Sequence, residues 1–429
     1  MIGEKLTTFD EYNAKIEKNY RWNFFWMALD NMMFFFIFMG LSPYTILPFY
    51  IQHFTNSKIL IGLLSTIYLV GTTAPQLFMA NFLNKKKSRK RYLLIAAIIQ
   101  RFGILGLFLL SLLQPRLNMS ANLTLVIFFL MFTIQHTASG FYVPAWIDFM
   151  GKAIPRKRGL LFGLSNFIGG LMGLGMGWLL SYLLDLYPFE QAVPVIFGIS
   201  LFASLVSLIA IISWREVVPP NDFFKENDKI IKDSYKVIFK NKNFMQYLLW
   251  RSFMVILEIA TPFYTLSAIE HLQIEAAQIG IFTTILSFSE AVVNPFWGWL
   301  GDRGGFLYVL KISGLAGILG AFLAVLFPNI VIYYVIFFLL GIMISGIQIS
   351  SLNIIFEFSP STKTALYTAV SQVSLTPISS VVALVGGFLA EHLGYSTNYW
   401  LAGSLGLFSL IGLSIFVKNP KARKQKKST

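Results

Sequence analysis

The sequence predicts an all-α integral membrane protein in which twelve transmembrane helices form two pseudo-symmetric six-helix bundles. Three observations predict it. Twelve apolar stretches are each long enough to cross a bilayer, the basic residues collect between alternate pairs of them, and landmarks of the first half recur in the second.

A bilayer core takes about 20 mostly apolar residues per helix. Such stretches run over 22–50, 58–83, 92–113, 121–147, 159–184 and 191–213, then over 244–268, 276–300, 306–327, 330–356, 365–391 and 396–417. They are numbered spans 1 to 12. The composition, 56% hydrophobic and 13% charged, is that of a chain whose main solvent is lipid.

The charge pattern orients the spans. Of 34 Lys and Arg residues, 30 fall on one side: the N-terminal segment, the 2–3 loop from Lys85 to Arg91, the 4–5 loop from Lys152 to Arg158, the connection from Arg215 to Lys242, then Arg303, Lys311, Lys363 and the tail from Lys418. Lys58 and Arg116 lie on the other side, and Arg101 and Arg251 lie within spans. Basic loops stay cytoplasmic. The expectation is a multi-pass protein of the plasma (inner) membrane with both termini inside. The layout is an N-terminal segment 1–21, a first bundle 22–213, a linker 214–243, a second bundle 244–417 and a basic tail 418–429. The net charge of +14 is spread along one membrane face, which suits anionic lipid headgroups and argues against a nucleic-acid partner.

Several classes are excluded or disfavoured. Residues 1–21 are polar, and the first apolar stretch is too long for a signal peptide. With no cysteine there is no disulfide, thiolate metal site or cysteine nucleophile. His53, His136, His271 and His392 are scattered, and no phosphate-binding GxxxxGK[ST] loop is present. The longest polar segment, Trp214–Asn243, carries Pro219-Pro220 and reads as a linker. The expectation is therefore no enzyme, no cofactor, no metal, and a monomer.

Six spans precede the linker and six follow it. Pro48-Phe49-Tyr50 in span 1 echoes Pro262-Phe263-Tyr264 in span 7. A 218-residue shift carries Gly62 onto Gly280, Ala80 onto Gly298, Asn84 onto Asp302 and Lys85 onto Arg303. Pro155 to Phe162 is echoed by Pro360 to Tyr367. A six-plus-six parallel repeat is a transporter architecture with its site at the midplane.

Gly298-Trp299-Leu300-Gly301-Asp302-Arg303-Gly304-Gly305, in the 8–9 loop, resembles the G-x-x-x-D-R/K-x-G signature of the major facilitator superfamily. The copy in the 2–3 loop is reduced to Ala80, Asn84, Lys85 and Lys87. Pro155-Arg156-Lys157-Arg158-Gly159 is similar to the superfamily's P-x-x-R-G loop. The resemblance covers essentially the whole chain and implies that Gly298, Asp302, Arg303 and Gly305 form a cytoplasmic gating loop in which Asp302 and Arg303 act through ion pairs. Glu357 is the expected partner of Arg303, with Asp148 as its counterpart in the first half. Gly298 is expected to allow close helix approach. The alternative is that these charges simply face water. The proline-containing glycine motif of drug/proton antiporters is absent from span 5.

Ionisable groups within spans face a cavity or a partner. Six qualify: Asp30, Arg101, His136, Arg251, Glu258 and Glu290. Span 8 places Thr283, Ser287, Glu290 and Asn294 on one face, and span 2 does the same with Ser65, Tyr68, Thr72 and Gln76. The two stripes match under the 218-residue shift. They line an aqueous cleft or glue helices together. Span 4 carries Gln135 or His136, then Ser139, Tyr142 and Trp146. Arg251 and Glu258 lie about 10 Å apart along span 7, too far to pair directly in a continuous helix. Arg101 is expected to be structural, paired with Asp30. The superfamily lines its cavity mainly with spans 1, 4, 7 and 10, which supports Asp30, His136 and Glu258. Gly169, Gly173 and Gly177 give span 5 a small-x-x-x-small stripe for helix packing or sliding.

The expected function is a secondary active transporter moving a small solute by alternating access. Glu290, Glu258 and Asp30, in that order, are the proton-coupling candidates. Arg251, His136, Gln135, Asn294, Thr72 and Gln76 are the cavity candidates. The second reading is a receptor, sensor or scaffold that keeps the fold without transport.

Overall fold

The computed structural model of the chain describes residues 9–84, 86, 88–218, 238–359 and 364–421. Among the described residues every regular element is helical, and twelve helices are long and apolar enough to cross a membrane. Lys85, Lys87, most of the linker and the residues around Lys363 lie outside the described set.

The helix of span 1 begins at Phe9, well ahead of Trp22, because Tyr12 and Ile16 turn inward at i, i+4 spacing and are buried. It ends at Gly40. Residues 41–45 leave the helix, and Ile46–Gln52 resumes it. Span 7 behaves alike: Lys242–Met254 is α-helical, Val255–Ile259 is a 3-10 turn, and Phe263–Leu272 completes the crossing. Both spans are thus broken, where the sequence predicted continuous helices. The Pro-Phe-Tyr echo marks each restart. Pro48 sits in the first turn of its short helix and Pro262 caps the next one. Proline has no N–H to lose at a helix start.

By contact the chain packs as two compact units. The first comprises the described residues of 1–41, 70–176 and 187–228, the second those of 42–69, 177–186 and 229–429. Spans 1, 2 and 5 therefore contribute to both, whereas the sequence layout assigned them wholly to the first bundle.

In the first unit, Met27, Leu93, Ala97, Ala145, Phe149 and Trp214 form a fully enclosed core, with the Phe149 and Trp214 rings stacked 5.1 Å apart. The basic-loop end is tied by charge. Asp148 pairs with Arg89 and, at 2.8 Å, with Lys152. Glu216 accepts from the Ser88 hydroxyl and the Arg89 backbone N–H, at the start of span 3. A carboxylate at a helix N-terminus satisfies orphan donors and complements the dipole.

In the second unit, two helix crossings bring backbones into contact. Gly62 of span 2 packs on Ala383 of span 11, and Gly387 packs on Lys58 and Ile59. Gly280 of span 8 packs on Ser181 of span 5, and Gly177 packs on Thr284. Glycine allows such approach because it has no Cβ. The glycines paired by the 218-residue shift thus do the same job in both repeats. The crossings lie at the end opposite the basic loops. There Glu391 accepts from the Ser57 hydroxyl at 2.9 Å and the Ile59 N–H at 3.1 Å. Lys58 pairs with Glu270 at 3.2 Å and lies over the Tyr395 ring, whose hydroxyl donates to Glu270 at 2.6 Å.

Candidate functional site

The two helix breaks place the polar groups of the second unit. The 214-residue offset that carries Pro48 onto Pro262 also carries Tyr44 onto Glu258, so each break holds one polar side chain at the equivalent position. Threonines satisfy the carbonyls released there. The Thr265 hydroxyl donates to the Tyr44 carbonyl at 2.7 Å, and Thr261 donates to the Glu258 carbonyl at 3.0 Å. Irregular backbone at membrane depth persists only where protein or water satisfies it.

Tyr44 meets Tyr68 of span 2 edge to face, ring centres 6.4 Å apart, and their hydroxyls hydrogen-bond. Glu258 and Glu290 both lie near enough to act electrostatically on both phenols. Glu290 is 9% exposed and makes no ion pair among the described residues. Glu258 feels the charge of Arg251, itself 5% exposed. The cluster therefore joins two carboxyls, two phenols and one guanidinium around the broken span 7. Thr283, buried two turns before Glu290, donates to Thr45 at 2.9 Å and ties span 8 to the break in span 1. The polar stripe identified Glu290, Thr283 and Tyr68 in sequence. Tyr44 escaped it, because a tyrosine next to a proline in an apolar run carries no signal of its own.

Asp30 lies in the other unit in a different environment. Its Oδ2 accepts from the Tyr142 hydroxyl at 2.9 Å and the Trp146 indole at 3.0 Å, and its Oδ1 accepts from Ser207. Arg101 donates to the same Ser207 hydroxyl and, at 3.2 Å, to the Ser204 carbonyl. The expected Asp30–Arg101 pair is thus relayed through Ser207 rather than direct. Span 6 carries that serine, and nothing in its short polar side chain marked it in advance.

The other cavity candidates separate. The His136 ring meets Phe132 edge to face, ring centres 4.2 Å apart, and is backed by Gly71. Gln135 is buried against Gly103 of span 3, a different face of the helix, since consecutive positions lie about 100° apart. The Gln76 amide turns back onto the Thr72 carbonyl at 2.7 Å. Asn294 is half-buried, a turn beyond Glu290.

The 8–9 loop departs from expectation at two points. A Cβ on Gly298 would meet nothing within 4 Å, so this glycine does not serve close helix approach; Gly301, packed on the Phe306 ring, is the crowded one. Arg303 does not pair with Glu357. Its guanidinium lies over the Trp299 ring at 4.8 Å, whereas Glu357 accepts from the Phe306 N–H at 3.0 Å and caps span 9. A carboxylate finds a helix N-terminus a better-ordered partner than a solvated arginine. Asp148 pairs instead with the Arg89 and Lys152 side chains, and at the start of span 3 it is Glu216 that accepts from a backbone N–H as Glu357 does at span 9. Asp302 and Arg303 are exposed. Gly305 adopts φ +97°, which favours glycine, and abuts Asn419. Lys421 donates to the carbonyls of Gly301 and Asp302, and Asn419 donates to that of Gly304 at 2.6 Å. The start of the tail thereby caps the C-terminus of span 8.

Comparison with known proteins agrees with this architecture. The profile described as Major Facilitator Superfamily matches residues 27–269 and 253–429. The fold resembles the nucleoside transporter NupG, with a TM-score of 0.70 at 15% identity over 92% of this chain and 100% of the other. It also resembles the D-xylose–proton symporter, with a TM-score of 0.71 at 13% identity over 94% and 99%. A gentisate transporter of Corynebacterium glutamicum is 32% identical over 146 residues; the match spans 33% of this chain and 32% of that relative. The molecule is a multi-pass membrane protein of the secondary-transporter class. The chain belongs to the Major Facilitator Superfamily.

Proposed function

We propose that this transporter is proton-coupled and that Glu290 carries the proton, with Glu258 next in rank and Asp30 third. One observation supports the order. Glu290 is a buried carboxyl that shares two phenols with Glu258 and makes no ion pair among the described residues. Asp30 is held by three hydrogen-bond donors, the mark of a structural group. A coupling group must change protonation as water reaches it and leaves it, and a carboxyl free of a fixed cation responds most to that change.

In the same reading the basic loops and both termini are cytoplasmic, in a plasma (inner) membrane with anionic headgroups beside them. The end bearing Lys58, Glu270 and Glu391 is then external. Alternating access opens and closes the two ends in turn, with Asp302, Arg303, Asp148 and Glu357 on the cytoplasmic side.

The test is Glu290→Gln in proteoliposomes, using a solute found by counterflow screening. The variant is expected to retain counterflow and to lose accumulation driven by a pH gradient. Loss of both activities together, or wild-type accumulation that ignores a proton ionophore, would overturn the assignment.

A further inference from the structure

We infer that the solute is a small organic monocarboxylate bearing a hydroxyl or amino donor, held with its carboxylate on Arg251 and its donor on Glu258. The inference names the cargo of the site described above and rests on reading that site as a transport site.

Arg251 projects from the last regular turn before the break in span 7. Its Nε and Nη1 are shielded from solvent, and neither has a hydrogen-bond partner among the described residues. The Glu258 Oε2, within the break, is shielded and unpartnered in the same way. The two side chains act on each other electrostatically, yet no contact between them reaches ion-pair distance. Buried charged groups left unsatisfied in a membrane interior are costly and mark ligand pathways. Here one such group only donates and the other, when ionised, only accepts.

A ligand that satisfies both must accept at one end and donate at the other. The planar guanidinium matches a planar oxyanion better than it matches a hydroxyl. Charge then selects a single carboxylate. The cluster holds one cation beside two carboxyls, Glu258 and Glu290, so a phosphate dianion would add the repulsion of a second negative charge. A neutral sugar or nucleoside could offer hydroxyls to Glu258 but would bring no charge to Arg251. The Tyr44 and Tyr68 rings add apolar surface to the same cluster, which suits a compact carbon skeleton between the two polar ends.

The experiment uses the full-length protein in nanodiscs, read by thermal stability and, in proteoliposomes, by counterflow. The probes are 3-hydroxybenzoate, 3-aminobenzoate, lactate and glycine. Benzoate lacks the donor, 3-hydroxybenzamide lacks the charge, and inorganic phosphate carries the wrong charge. At least one of the first four is expected to stabilise the protein and exchange, with 3-hydroxybenzamide and phosphate inert. Arg251→Gln is expected to weaken the bound probe at least tenfold, and Arg251→Lys, which keeps the charge, to weaken it less. Glu258→Gln is expected to weaken the donor-bearing probe more than benzoate. The proposal is overturned if none of the four binds, if the amide binds as well as the acid, or if folded Arg251→Gln binds unchanged. Accumulation of a neutral solute driven by a pH gradient, undiminished in Arg251→Gln, would sink the cargo assignment and leave the proton-coupled reading standing.

Discussion

Gly280 of span 8 lies against Ser181 of span 5 so closely that a Cβ on the glycine would fall 2.1 Å from the serine backbone nitrogen. Its repeat-related partner Gly62 meets the Ala383 carbonyl of span 11 at 2.5 Å in the same sense. Neither neighbour is a flexible side chain that can swing away. The end bearing Lys58 and Glu391 therefore rests on two backbone contacts that tolerate hydrogen only.

Gly280→Val is expected to force that end open. Overpacking a tight contact costs about 1–3 kcal/mol, enough to shift a two-state equilibrium by roughly five-fold to a hundred-fold. The chain has no cysteine, so Ser65→Cys, buried in span 2, is a clean reporter. A membrane-impermeant thiol reagent added from the Lys58 side should label it several-fold faster in the valine variant. An unchanged rate in a folded variant would remove Gly280 from the gate.

Asp30, Ser207 and Arg101 should behave as one unit under mutation. Ser207→Ala leaves Asp30 and Arg101 each short of a partner, at about 1–3 kcal/mol. Asp30→Asn leaves the buried arginine without its counter-charge, at about 3–5 kcal/mol. Thermal denaturation should rank Asp30→Asn below Ser207→Ala. The double variant should be less destabilised than the two effects added, since the groups share one network. Strict additivity would mean that the relay does not couple them.

Asp302→Asn or Arg303→Ala should shift the protein away from the state closed on the cytoplasmic side. Both side chains are exposed in the present conformation, with Arg303 resting on Trp299, so protein stability should barely change. A cysteine reporter on the cytoplasmic side should become more accessible. If accessibility and transport both match the parent chain, these residues are ordinary surface charges.

Cysteines at Ser57, Asn118 and Ser396 should label from outside intact cells, and one at Asn227 should not. The motive is the placement of 30 of 34 basic residues on the other side. The reverse pattern would invert the topology and exchange the roles of the two ends.

The sequence by itself determined the solvent, the span count and the repeat. Hydrophobic length reads directly as membrane crossing, and a duplicated chain keeps its landmarks in register. Hence Gly62 and Gly280, and the Glu290 stripe, were visible before any coordinates. Only the tertiary structure decided which polar groups meet. Asp30 and Arg101 needed Ser207, a residue whose role exists only because spans 1, 3 and 6 converge on it. Glu357 went to the Phe306 N–H and not to Arg303, because a helix N-terminus offers a fixed donor where a loop arginine must be ordered first. Gly298 proved to face open space while Gly301 was crowded, since spacing fixes a helix face but not what stands opposite it. Tyr44 joined Glu258 because span 1 breaks at residues 41–45, and a break is an event of packing: it survives only where neighbouring threonines satisfy the carbonyls it frees.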